Sequence, residues 1–182
     1  MANNALRLTT ERLVLIPFGA DFIEALAERE AAQQLIDAII PDGWPDAELA
    51  GLLRVYGPWV AADPSRLGYG PWIVIARGHR TVVGSAGFQG TPKDQAIELG
   101  FGVHAAHRNQ GYASEAAGAL ISWGLSQPEV DRIIAKCDPA NAASIRVLEK
   151  SGMSRVGEGE GMLLWERGHR SRVAETGSRA VN

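Results

Sequence analysis

The spacing of apolar residues along the chain switches between two regimes, one repeating every second residue and one every three to four. The first marks a strand with one buried face, the second a helix with one apolar stripe. "RLVLIPF" (Arg12–Phe18) is apolar and predicts a first strand, ended by Pro17. Asp21–Ile40 has helical spacing behind an aspartate cap and predicts two short helices or one bent one. "PDGWPD" (Pro41–Asp46) breaks it, and the next helix runs from Ala47 to an end near Gly57-Pro58.

The period then changes. Pro71–Gly90 predicts two strands joined by a turn at Gly78-His79. Ala96–Ala105 alternates strictly: Ile97, Leu99, Phe101 and Val103 point one way, Glu98, Gly100, Gly102 and His104 the other. Gly111–Gln127 reads as a helix, Arg132–Cys137 as a strand, and Asn141–Gly152 as a helix with an asparagine cap and a glycine stop. "MSRVGE" and "MLLWER" predict two closing strands. The expected fold is a mixed α/β (α+β) domain over residues 8–168. It has a central, mostly antiparallel twisted sheet of six to seven strands, about four flanking helices and one β-α-β step in the middle. Residues 169–182 read as a flexible polar tail.

Composition narrows the function. The 182 residues fit one domain, and 46% hydrophobic with 21% charged residues is ordinary for a chain with a real core. A net charge of −3 and a pI near 5.8 argue against non-specific nucleic-acid binding. A lone cysteine, Cys137, excludes an internal disulfide and reads as a small buried hydrophobe. No apolar run reaches membrane-spanning length and the N-terminus lacks a signal-peptide pattern, so the expected location is the cytoplasm.

"HAAHRNQGYASEAAGALISWG" (His104–Gly124) sets a polar, basic, glycine-containing loop directly before a helix. A helix N-terminus offers free backbone N–H groups and partial positive charge, and a glycine there lets an oxyanion approach. Arg108, Asn109, Gln110, Gly111, Tyr112 and Ala113 form the candidate anion loop. It lacks the Lys-Ser/Thr of a P-loop and the three glycines of a dinucleotide-binding turn. Taken alone, the loop fits equally well a solvated arginine and a turn glycine.

"RNQGYA" resembles the Arg/Gln-x-x-Gly-x-Gly/Ala signature of the GNAT superfamily of N-acetyltransferases, and "NAASIRVLEKSGM" its second cofactor segment. "TERLVLIPF" is similar to the start of the Rim-like branch, the ribosomal-protein N-terminal acetyltransferases. The resemblance implies acetyl-coenzyme A as acetyl donor, with no metal. Its diphosphate would rest on Arg108–Ala113 and its pantetheine arm along Phe101, Gly102 and Val103. Asn141 would cap its helix and also meet the pantetheine. The acceptor would be a small-molecule amine or a peptide N-terminus, and the protein a monomer or homodimer without nucleic-acid or membrane partners.

Acetyl transfer to an amine needs a base, donors for the developing oxyanion and help for the leaving thiolate. Glu98, on the glycine face of its strand, is the candidate base and acceptor-side residue, acting directly or through a water; its alternative is an ion pair with a neighbouring strand. His104 shares that face and stands in reserve. The backbone N–H near Val103 would serve the oxyanion. The family's usual tyrosine falls at Leu148, so Ser144 is the candidate acid, against a hydroxyl bonded to its own helix. Trp44, in the loop before the third helix, is the candidate acceptor-site lid, against a tryptophan that covers the core. The rival functions are a non-catalytic acyl-coenzyme A sensor of the same fold and an unrelated nucleotide-phosphate binder.

Overall fold

The computed structural model describes residues 6–168. One sheet of eight strands runs in the order β1-β2-β3-β4-β5-β6-β8-β7. The strands are β1 (Leu8–Thr9), β2 (Leu13–Pro17), β3 (Pro71–Ala76), β4 (Thr81–Phe88), β5 (Ala96–Val103), β6 (Arg132–Cys137), β7 (Ser154–Gly159) and β8 (Met162–Gly168). Five helices flank them: α1 (Ala20–Ala25), α2 (Arg29–Ile36), α3 (Ala47–Ala62), α4 (Tyr112–Leu125) and α5 (Ala142–Lys150). Every neighbouring pair is antiparallel except β5 and β6, which α4 connects in a β-α-β step.

The strand count exceeds the expected six to seven for a local reason. The extra strand, β1, is two residues long and too short to show a period. The expected Asp21–Ile40 segment takes the first of its two expected forms, two short helices divided at residues 26–28. Asp21 is not its cap. Gly19 holds that position, and the Asp21 carboxylate accepts from the Phe22 N–H at 2.9 Å inside the first turn. α3 does not stop at Gly57-Pro58 but continues to Ala62. Pro58 and Arg54 are exposed, so the carbonyl that loses its helical partner faces water, which lowers the cost of the interior proline. The expected tail beyond residue 168 lies outside the described residues.

The sheet separates two cores. α4 and α5 cover one face, where Leu120 and Ile121 of α4 and Leu148 of α5 meet Trp72, Val74 and Ile133. α1, α2 and α3 cover the other, where Phe22, Leu53 and Tyr56 meet Ile73, Ile75 and Val82. β3 thus feeds alternate residues into both and is buried along its whole length. Leu120 and Ile121 are fully buried, and each contributes about 1.5–3 kcal/mol. That burial fixes where the N-terminus of α4 points. Trp165 and Cys137 lie inside the same core, with the indole N–H donating to Sγ at 3.2 Å.

Candidate active site

The two parallel strands diverge. β5 pairs with β6 only through Ala96, Ile97 and Glu98, and β6 continues against β8 alone. From Leu99 to Val103, β5 is bonded on one side only, to β4. Residues of an antiparallel pair alternate between facing the partner and facing away. Glu98 accepts from Gln89 N–H and His104 donates to the Val83 carbonyl, so Gly100 and Gly102 share that orientation toward β4. Phe101 and Val103 therefore aim their N–H and C=O into the gap.

Into this gap opens a cleft of about 790 Å³, passing through the end of the sheet. Phe101, Gly102 and Val103 line it from β5, and Arg108–Ser114 from the loop and first turn of α4. Asn141, Ser144, Arg146 and Lys150 line it from α5, and Gly43, Trp44, Asp46 and Glu48 from the opposite face. Charge is sorted by face: cations on the α4–α5 side, carboxylates on the α3 side.

Gly111 is the N-cap of α4 with φ +80°, a left-handed conformation that favours glycine, and no side chain caps the helix. Glu115 N–H bonds to the Gly111 carbonyl, but the amides of residues 109–114 have no acceptor among the described residues. These six consecutive residues all line the cleft. The Arg108 side chain crosses the loop and donates from Nε to the Val103 carbonyl at 3.2 Å, tying the end of β5 to the start of the loop.

On α5, Asn141 is the cap: its Oδ1 accepts from the Ser144 N–H at 3.0 Å. The Ser144 side chain makes no hydrogen bond among the described residues and lines the cleft. Leu148 is buried in the core and does not line it. Arg146 and Lys150, spaced three and four with Ala143 and Val147 on one helical face, were not singled out from the sequence. Steps of three and four from Ser144 reach Val147 and the buried Leu148, so spacing from Ser144 does not lead to these two cations.

Glu98 is placed differently from the direct catalytic role. It lies below the point of divergence and outside the cleft lining, accepting from Gln89 Nε2 at 3.2 Å and facing Lys136 Nζ at 3.9 Å. The ion pair with a neighbouring strand is present, with a lysine. Four residues of strand separate Glu98 from Gly102, about 13 Å, which a carboxylate spans only through a chain of waters. Above it, a Cβ built on Gly100 or Gly102 meets nothing within 4 Å, so the space between is open. Trp44 lines the cleft as a fixed wall, not a lid: it is 8% exposed and stacks on Phe18 at 5.8 Å. His104 lines the cleft, with Nε2 3.1 Å from the Asp42 carbonyl. A carbonyl only accepts, so in this contact Nε2 donates; among the described residues the buried Nδ1 has no hydrogen-bond partner. His107 stacks on His79 at 5.5 Å; burial first, then the nearby His79 and His104, holds it below the ordinary histidine value.

Residues 12–154 match the family model of the acetyltransferase (GNAT) domain. The chain belongs to the GNAT family. It is 34% identical over 110 residues to the uncharacterized N-acetyltransferase YjdG of Bacillus subtilis, a match covering 60% of this chain and 66%, just under two thirds, of that one. A GNAT-family acetyltransferase from Bacillus anthracis superposes with a TM-score of 0.60 at 27% identity, over 90% of this chain and 98% of that one. RimL, a ribosomal L7/L12 α-N-protein acetyltransferase solved in complex with coenzyme A, shares the GNAT fold at a TM-score of 0.63 and 17% identity, over 90% and 98% of the two chains. Among the described residues, no helix is long and apolar enough to cross a membrane, and no three His, Cys, Asp or Glu side chains group as metal ligands.

Proposed function

We propose that this protein is an acetyl-coenzyme A-dependent N-acetyltransferase, moving acetyl directly to a primary amine with no covalent enzyme intermediate. The observation that carries the reading is the run of free amides at residues 109–114, opening on a cleft bordered by the free edge of β5. That arrangement suits a diphosphate followed by an extended, amide-bearing arm. RimL, of the same fold, is described with coenzyme A bound. When bound, acetyl-coenzyme A supplies the activated acyl group.

The chain's own groups take the remaining roles. Amides 109–114 hold the diphosphate, with Arg108, Arg146 and Lys150 balancing charge on that face. The Phe101 backbone groups pair with the arm as a further strand would. The Val103 N–H stabilises charge on the carbonyl oxygen as the amine nitrogen bonds to its carbon and the carbon–sulfur bond breaks. Glu98 takes the amine proton through water over Gly100 and Gly102. Ser144, whose hydroxyl is uncommitted, donates to the leaving sulfur, and Asn141 orients the arm from its cap. The acceptor enters past Trp44, where Asp46 and Glu48 favour a cationic amine, whether a small molecule or a peptide N-terminus. Membership of the Rim-like branch and a cytoplasmic location accord with this reading.

His104 is the second candidate base, because it lines the cleft whereas Glu98 does not. Thiol release from acetyl-coenzyme A across a pooled amine panel tests the function. Turnover with any amine supports it. Tight coenzyme A binding with no turnover would identify a sensor, and ATP binding at least as tight as coenzyme A would identify a nucleotide binder.

A further inference from the structure

The turn between β1 and β2 carries Thr10 and Arg12, distant in sequence from the anion loop and packed against its outer side. Arg12 Nη1 donates to the Gln110 carbonyl at 2.9 Å, and its guanidinium lies 5.0 Å from the centre of the Tyr112 ring. Arg12 Nε pairs with Glu115 Oε2 at 2.7 Å. The Arg12 N–H and the Thr10 hydroxyl both donate to Glu115 Oε1, at 2.9 and 2.6 Å. Burial pushes the Glu115 carboxyl up, but the hydrogen bonds from Thr10 and Arg12 win and hold it below its ordinary value. Arg12 does not line the cleft.

The direction of the Gln110 carbonyl matters. In a trans peptide the C=O and the following N–H point opposite ways. With its oxygen drawn outward to Arg12, the Gln110–Gly111 peptide must aim the Gly111 N–H inward, at the cleft. The Arg12 contact is the hydrogen bond that holds this peptide's orientation, because the Gly111 amide has no protein acceptor among the described residues. A flipped peptide would present a carbonyl lone pair where an anion needs a donor. Arg12 also neutralises Glu115, a carboxylate in the first turn of α4, beside the place an anion would occupy.

We infer that Arg12 is a positioning residue for coenzyme A: from outside the cleft it sets the Gly111 N–H toward the diphosphate and cancels the Glu115 charge. This rests on the coenzyme A reading above. It predicts an effect confined to the diphosphate half of the ligand. The test measures, by NMR titration, the Kd of coenzyme A and of pantetheine, which lacks the diphosphate, following the Val103 amide. Arg12→Ala should weaken coenzyme A about tenfold, the worth of one lost charge-assisted contact, and change pantetheine by less than about twofold. Arg12→Lys, which keeps one donor for the Gln110 carbonyl, should lose about threefold for coenzyme A only, and serves if the alanine variant does not fold. Equal weakening of both ligands would make Arg12 merely structural, and unchanged coenzyme A affinity would overturn the inference while sparing the function. Failure of the wild-type protein to bind coenzyme A would remove both.

Discussion

Gly84 of β4 lies opposite Val103. A Cβ built there meets the Gly102 carbonyl oxygen at 2.2 Å and the Val103 Cα at 2.9 Å, both backbone. Real Cβ contacts essentially never fall below 3.0 Å, so in Gly84→Ala the carbonyl must retreat by at least about 0.8 Å. That carbonyl shares a peptide plane with the Val103 N–H, which faces the cleft. Moving one therefore tilts the other, the proposed oxyanion donor. Overpacking of this kind costs about 1–3 kcal/mol, which for a domain of this size lowers the Tm by about 2–12 °C. A misplacement near 1 Å costs a rate about a hundredfold. Coenzyme A affinity should stay within about threefold, because the diphosphate loop is untouched. Melting by circular dichroism, thiol release with an accepted amine and calorimetry with coenzyme A read the three quantities. Wild-type turnover in a protein with an unchanged Tm would refute the reasoning, as would equal losses of turnover and coenzyme A binding.

Gly111→Ala forces a left-handed backbone on an L side chain and sets its Cβ 3.3 Å from Arg12 Nη2, so stability should fall by about 1–2 kcal/mol and coenzyme A binding about tenfold by calorimetry. Glu98→Gln should cut kcat about a hundredfold with coenzyme A affinity unchanged, with His104→Gln losing less than about tenfold; the reverse order would move the base to His104. Because His107 is held below the ordinary 6.5, the unfolded chain binds more protons than the fold as pH falls. The stability due to its neutral form is present above that value and lost below it, so His107→Gln should flatten the fall in Tm between about pH 7 and pH 5.

The elements that frame the site were legible because each carries a clear period. The alternation in β5 correctly divides Ile97 and Leu99, in the core, from Glu98 and the two glycines. The Asn141 cap and the Gly152 stop, at φ +78°, are local chemistry that a sequence displays openly. What stayed hidden depends on pairing. Alternation tells which face Glu98 takes but not that β6 leaves β5 immediately above it. Gly84 looks like any strand glycine until register sets it against Gly102. Arg12 and Glu115 are 103 residues apart, and no local pattern joins them. Trp44 reads from its loop either as a lid or as a core cover, and only its packing on Phe18 shows it buried.

The central claim is that the amides opening α4 hold the diphosphate of coenzyme A. Nitrogen-15 NMR of the wild-type protein titrated with coenzyme A tests it most directly. The account predicts saturable shifts of the amides of residues 109–114 together with those of Phe101 and Val103, and none from ATP at the same concentration. Shifts confined to other residues, or none with coenzyme A, would contradict it.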